Sequence, residues 1–187
     1  DGGAGNDWFV LVPGGDDRVL DASGHDTLDF SGAVRAVRIT LLSAHGDLQI
    51  VDDAGSRLAL TGTYEDLVGS AYDDLVQGND VDNEFWGGDG ADRLNGGAGH
   101  DRLHGQAGDD DLRGGGDNDE LWGDVGDDRL SGEADADVLH GGLNHGFEIG
   151  DNGFVTVHPA APVDMQHHGR GTVGGRLPNI EHLAGMG

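Results

Sequence analysis

Eight side chains spaced nine residues apart carry the chemistry of this chain: Asp74, Asn83, Asp92, Asp101, Asp110, Asp119, Asp128 and Asp137. A side-chain oxygen that returns at a fixed interval suits neither an acid pair in a cleft nor a solvated acidic run, because the acids fill a column and not a block. Hard divalent cations want such oxygens. Ca²⁺ takes about six to eight of them, from carboxylates and backbone carbonyls, at about 2.3–2.6 Å. Two further columns run alongside. Gly69, Gly78, Gly87, Gly96, Gly105, Gly114, Gly123 and Gly132 open the units, and Val76, Phe85, Leu94, Leu103, Leu112, Leu121, Leu130 and Leu139 fill the eighth place. Three columns in strict register define a repeat array from Gly69 to His140.

The elements that must position these side chains follow from the other places. Glycine at places one, two and four lets the backbone take φ > 0 and turn its carbonyls inward, which a Cβ would penalise. If the unit ends in a strand, the apolar eighth residue faces inward and places seven and nine face out. Those outer places hold Arg93, Asn95, Arg102, His104, Asp111, Arg113, Glu120, Trp122, Arg129 and Ser131, which are mostly polar.

Units such as GGDGADRLN (87–95) and GGAGHDRLH (96–104) resemble the GGxGxDxUx nonapeptides of the RTX (repeats-in-toxin) calcium-binding proteins. The resemblance implies an all-β fold: a parallel β-roll, like a right-handed β-helix solenoid. The first six residues of each unit form a turn, the last three form a short strand, and two units make one coil. It also implies that Ca²⁺ sits between one turn and the turn two units later. Asp92 then shares an ion with Asp110, Asn83 with Asp101, Asp101 with Asp119, Asp110 with Asp128, Asp119 with Asp137, and Asp74 with Asp92. Turn residues expected to line these sites are Gly87, Gly88, Asp89, Gly90, Gly96, Gly97, Ala98, Gly99, Gly105, Ala107, Gly108, Gly114, Gly116, Gly123 and Gly126. Weaker sites are expected where the pattern lapses: at Asn83, and where Tyr72, Val81, Asp117 and Asp135 replace the fourth glycine. Gln106, Asp124 and Glu133 at place two are milder, because a backbone carbonyl still serves there.

The 187 residues include 36 acidic and 10 basic ones, a formal charge of −26. A compact metal-free state would repel itself. About six to eight bound Ca²⁺ ions would roughly halve the charge. Phosphate recognition needs clustered Lys and Arg, so nucleic acid is not an expected partner. No apolar run reaches the length of a membrane span. Cysteine is absent, which excludes disulfides and thiolate metal sites.

Residues 1–29 read as N-terminal turns of the same kind. DGGAGNDWFV holds Gly2, Gly3, Ala4, Gly5, Asp7 and an inward Phe9, and DASGHDTLD holds Gly24, Asp26 and Leu28. An irregular unit with Asp17 and Val19 lies between them, with one extra residue near Pro13. A calcium ion is expected between the turns ending at Asp7 and Asp26, with Gly2 and Ala4 lining it. Residues 30–68 break the period and read as inserted strands that continue the roll. Val37, Ile39 and Leu41 share a face, and DLQIVDDAGSRLAL forms a hairpin bent at DAGS, with Leu48, Ile50, Leu58 and Leu60 alternating. The join DTLDFSG at 26–32 and the lead-in YEDLVGS at 64–70 resemble those of serralysin-type proteases. After the main roll at 69–140, residues 141–187 read as degenerate repeats. Gly141 and Gly150 persist, but place six becomes Gly146 and Val155, so calcium binding should stop. FVTVH at 154–158 reads as a strand, and LPNIEHLAGMG at 177–187 as the lead-in to a further repeat. No secretory leader opens the chain, and the expectation is a segment of a longer repetitive protein.

HExxH and GxSxG are missing. His158, His167, His168 and His182 are better read as solvated loop histidines than as zinc ligands, and His25, His100, His104 and His140 receive no ligand role. Trp86 and Trp122, outward and two coils apart, are read as packing on a neighbouring strand in preference to a sugar-stacking patch. The expected function is therefore a non-enzymatic, calcium-binding roll. The resemblance implies a secreted or cell-surface bacterial parent exported by type I secretion. Two alternatives stay open: an adhesin or surface-layer segment for glycans or neighbouring subunits, and the C-terminal part of an RTX protease or lipase.

Overall fold

A computed structural model describes residues 1–21, 23–43, 45–142, 147–149 and 156–159. It is an all-β solenoid of stacked parallel strands, and no α-helix occurs among the described residues. Units alternate between two sheets. One sheet has eight strands, in the order β1 (Trp8–Val10), β3 (Thr27–Asp29), β7 (Asp66–Val68), β9 (Glu84–Asp89), β11 (Arg102–Ala107), β13 (Glu120–Trp122), β15 (Val138–Gly142) and β17 (Thr156–Pro159). The other has six: β4 (Arg38–Thr40), β8 (Leu75–Gln77), β10 (Arg93–Ala98), β12 (Asp111–Gly116), β14 (Arg129–Glu133) and β16 (Phe147–Ile149). Within the array, strands pair with those eighteen residues away, as Leu94 with Leu112 and Leu103 with Leu121. This register follows from two units per coil.

The core is one column wide. Val76, Phe85, Leu94, Leu103, Leu112, Leu121, Leu130 and Leu139 are all at most 1% exposed, stacked between the two sheets. Burying a leucine contributes about 1.5–3 kcal/mol. One such residue per unit is a thin core, and the turns must hold what it does not.

Residues 30–68 give a different local structure. Val37, Ile39 and Leu41 are buried together as read from their spacing. The hairpin forms between β5 (His45–Ile50) and β6 (Arg57–Thr61), with Gly55 at φ 84° in the bend and Ser56 N–H bonded to Asp52. Its inward residues differ between the arms. Leu58 and Leu60 are buried, but Leu48 and Ile50 face solvent and Val51 enters the core instead. The reason is the register, which sets Leu48 opposite Ala59 and Ile50 opposite Arg57 and so on the face away from Leu58 and Leu60; β6 also pairs with β2 (Asp16–Leu20), making a three-stranded sheet whose inner face is set by Val19, Leu58 and Leu60. Arg57 secures that pairing by donating to Asp16.

On the outer face of the eight-stranded sheet, place nine forms an aromatic ladder. Trp86 stacks on His104 at 5.9 Å, His104 on Trp122 at 4.2 Å, and Trp122 on His140 at 5.2 Å, all within 7° of parallel. The two tryptophans therefore pack on histidines of neighbouring strands. Glu120 accepts from the His140 ring at 3.3 Å, and burial lowers the His104 pKa.

Beyond Gly142 the strands at 147–149 and 156–159 continue the two sheets. The expected strand at 154–158 thus falls at Thr156–Pro159 and includes His158. Gly146, Gly150, Val155, His167, His168, His182 and the lead-in at 177–187 lie outside the described residues.

Candidate metal centre

Each place-six aspartate in the array reaches back one coil with one oxygen. Asp92 Oδ1 accepts the Asp74 N–H at 2.7 Å, Asp101 that of Asn83 at 2.8 Å, and Asp110 that of Asp92 at 2.8 Å. The series continues with Asp119 on Asp101 at 2.9 Å, Asp128 on Asp110 at 3.0 Å and Asp137 on Asp119 at 3.0 Å. At the N-terminal end Asp26 Oδ1 accepts the Asp7 N–H at 2.8 Å. The eighteen-residue partners expected from the sequence are therefore in contact.

The other oxygen decides what the turns can do. Oδ2 of Asp7, Asp26, Asp92, Asp101, Asp110, Asp119, Asp128 and Asp137 is buried and makes no hydrogen bond. The six array aspartates are at most 3% exposed. A buried carboxylate oxygen left unpaired is costly, and a column of them costs more still. A hard cation is the partner that such oxygens lack.

The glycines make the room. A Cβ on Gly87, Gly96, Gly105, Gly114, Gly123 or Gly132 would overlap the place-six carboxylate of its own unit. At place two, Gly97 has φ 117°, and a Cβ there would strike the Asn79 carbonyl oxygen one coil back. Turn carbonyls thus stack against the next turn, where they complement the carboxylates. The turn survives substitution. Gln106, Asp124 and Glu133 at place two, and Asp117 and Asp135 at place four, keep φ between 65° and 76°. Tyr72 and Val81 do not adopt positive φ, so their turns depart from the others.

Burial dominates the electrostatics. It pushes the carboxyls of Asp92, Asp101 and Asp119 up to about 7, and those of Asp110 and Asp128 up to about 6. Neighbouring carboxylates push the same way, Asp110 on Asp92 and Asp137 on Asp119, while the backbone N–H donors partly oppose them. Metal-free, these groups give up their protons between about pH 6 and 7, well above the usual carboxylate range.

Two of the expected ligands are engaged otherwise. Asp74 Oδ1 accepts from Val37 N–H and Ser70 Oγ, and its Oδ2 accepts from Ser70 N–H, so both oxygens are satisfied. Asn83 accepts from Asn79 N–H and donates to the Glu65 carbonyl.

Sequence reading missed three features. Glu65 occupies place six of the turn before β7, and its Oε2 accepts the Asp26 N–H at 2.8 Å. Counting back nine from Asp74 finds it. Asp21 stands at place one of its unit, where the array has glycine, and joins Asp7 and Asp26 with ligand atoms within 4.8 Å of one another. Place five carries an Asx ladder of its own: Asp73, Asp82, Asp109 and Asn118 accept N–H groups from Ala91, His100, Asp127 and Ala136. Asp and Asn favour such short bonds to backbone, which was the available signal.

Residues 86–121 and 113–147 match the family model of the RTX calcium-binding nonapeptide repeat (4 copies). This stretch is an RTX calcium-binding repeat array. No curated protein matches the chain. In an RTX array the unpaired Oδ2 atoms have a ready explanation, since the donor set of carboxylates and carbonyls is that of a calcium site.

Proposed function

We propose that this chain is a non-enzymatic calcium-folding module of a secreted or surface-exposed bacterial protein, with ions held between place-six side chains eighteen residues apart. One observation carries the reading: the column of buried, unpaired Oδ2 atoms from Asp92 to Asp137. The pairs Asp92 with Asp110, Asp110 with Asp128, Asp101 with Asp119 and Asp119 with Asp137 would hold the principal ions. Asp7 with Asp26 would hold another, and the Asp74 and Asn83 turns weaker ones, about six to eight in all. Carbonyls of Gly87, Gly88, Asp89, Gly90 and their equivalents in later turns would complete the shells. Bound Ca²⁺ supplies the positive charge that the buried carboxylates lack.

The physical consequence is coupled binding and folding. Where calcium is scarce, carboxylates that must be buried together oppose the coil. Where it is plentiful, each ion at a hundredfold its Kd contributes about 2.7 kcal/mol to the folded state. Several such ions outweigh an ordinary domain stability of about 5–15 kcal/mol. That difference suits a chain exported unfolded, as type I secretion requires, and folded outside. The segments 1–29, 30–68, 69–140 and 141–187 are taken as parts of one elongated stretch of a longer protein. A glycan role is less favoured, because the faces of Trp122 are already covered by His104 and His140.

Far-UV circular dichroism with and without a chelator, combined with native mass spectrometry for ion count, tests the reading. Strand signal gained with calcium and several ions per chain are expected. An unchanged spectrum after chelation contradicts it.

A further inference from the structure

Asp7, Asp21 and Asp26 are the one group of three carboxylates among the described residues whose ligand atoms all lie within 4.8 Å of one another. Convergent acids alone would not make a site. Here Asp26 is fully buried, its Oδ1 is used by the Asp7 N–H, and its Oδ2 has no hydrogen-bond partner. Asp7 Oδ2 is buried and unpaired as well. His25, beside Asp26, is turned to Asp66, and Arg57 to Asp16.

Asp21 makes this site unlike the array. In the repeats, place one is glycine and the place-six carboxylate fills the space beside it. In this unit place one contributes a carboxylate instead. The 61–64 segment fixes its backbone. Asp21 N–H donates to Thr61 O at 2.8 Å, a Cβ on Gly62 would press on the Asp21 carbonyl, and the buried Tyr64 donates its hydroxyl to Thr61 O. Tyr64 also packs edge-on against Phe9 of β1 at 6.0 Å. The cluster therefore sits where the first coil, the second coil and the end of the hairpin meet.

We propose that Asp7, Asp21 and Asp26 form a separate divalent-cation site, richer by one carboxylate than those of the array, which fills before them and ties the N-terminal coil to the hairpin region. The proposal rests on the calcium reading above, but it assigns a donor and an order of filling that the repeat pattern does not contain. More carboxylates around a calcium-type ion raise affinity. The same geometry accounts for an aspartate at a place where every array unit has glycine.

Terbium(III), an oxygen-seeking calcium substitute lit by nearby aromatic rings, is the probe, with the full chain. Trp8 follows Asp7 directly and Tyr64 packs on Phe9 of the same strand, so these two rings sensitise this site, whereas Trp86 and Trp122 belong to the array. The first equivalent of terbium should produce a phase that Trp8→Phe dims, while the later phases keep their intensity. Asp21→Asn should weaken that phase at least tenfold and remove one calcium ion from the native mass spectrum at low free calcium, leaving later phases in place. Asp110→Asn should do the reverse. An unchanged first phase and ion count in Asp21→Asn overturns the proposal while the array reading stands. No terbium or calcium uptake by the unaltered chain would instead sink the calcium reading itself. If Asp21→Asn fails to fold at saturating calcium, Asp21→Glu decides: recovered folding with the first phase present supports a ligand role, and continued failure to fold overturns it.

Discussion

The coils from Gly87 to Asp137 and the segment from Thr27 to Val68 meet the same need with different materials. In the segment, Leu28, Phe30, Val37, Ile39, Leu41, Val51, Leu58, Leu60, Tyr64 and Leu67 are all at most 4% exposed, and no described carboxylate oxygen there is both buried and unpaired. In the array each unit offers one apolar side chain and most offer one orphaned oxygen. The segment closes around hydrocarbon, whereas the array buries carboxylate oxygens without partners. A coil built from nine-residue units has room for a single inward side chain per turn, so stability beyond that must come from the turns themselves.

Metal removal should separate the two regions most. With a chelator at neutral pH, amide exchange across Arg93–Asp137 should accelerate by about a thousandfold or more, corresponding to about 4 kcal/mol of linked binding. The amides of Arg57–Thr61 and Asp66–Val68 should change less. Equal acceleration in both would erase the distinction drawn here.

Acid should narrow the gap. The carboxyls of Asp92, Asp101 and Asp119 titrate near 7 in the folded, metal-free chain, against about 4 when unfolded. Because folding raises these values, the protonated form favours the fold. Its stabilising effect is complete below about pH 4 and is lost as pH rises through 6 to 7. Metal-free thermal melts followed by circular dichroism should therefore rise in temperature from pH 7.5 down to about 4, while calcium affinity falls over the same range. A metal-free array that melts lower in acid would contradict the burial of these groups.

Single substitutions sharpen the contrast further. Asp110 serves two turns, so Asp110→Asn should remove about two ions and about 5 kcal/mol at a hundredfold excess of calcium over Kd. Asp74→Asn, at a carboxylate already saturated by Ser70 and Val37, should leave the ion count of the principal sites unchanged. Isothermal titration of both variants is the check, and matching losses would show that Asp74 is a full ligand. The smallest effect expected is a gain. Gln106 holds φ 76° in a turn that favours glycine, so Gln106→Gly should stabilise the calcium-bound form by about 1 kcal/mol in denaturant unfolding.

The array was legible because one set of columns dictates everything in it: glycine, aspartate and leucine at places one, six and eight specify the turn, the donor and the core together. Partner identity at eighteen residues followed from two units per coil. Outside the period, legibility fell. Alternation placed Leu48 and Ile50 with Leu58 and Leu60, yet which residues of two arms share a face depends on the register across the bend, and here it sets Leu48 opposite Ala59 and Ile50 opposite Arg57. Asp21 and Glu65 were hidden for another reason. Both sit at counted places of units that lack the opening glycine, so the column that marks the array does not lead to them, although counting back nine from Asp74 reaches Glu65.

Near-identical coils invite an error peculiar to repetitive chains, in which one coil is skipped and the next closes in its stead. The aspartate turns are almost blind to that slip, because every neighbour offers the same atoms. The column Trp86, His104, Trp122, His140 is not. Skipping a coil would set indole on indole or imidazole on imidazole, and would separate His140 from Glu120, its acceptor one coil back. Alternating rings thus act as a tally mark down one side of an otherwise uniform stack, distinguishing the correct neighbour from its copies.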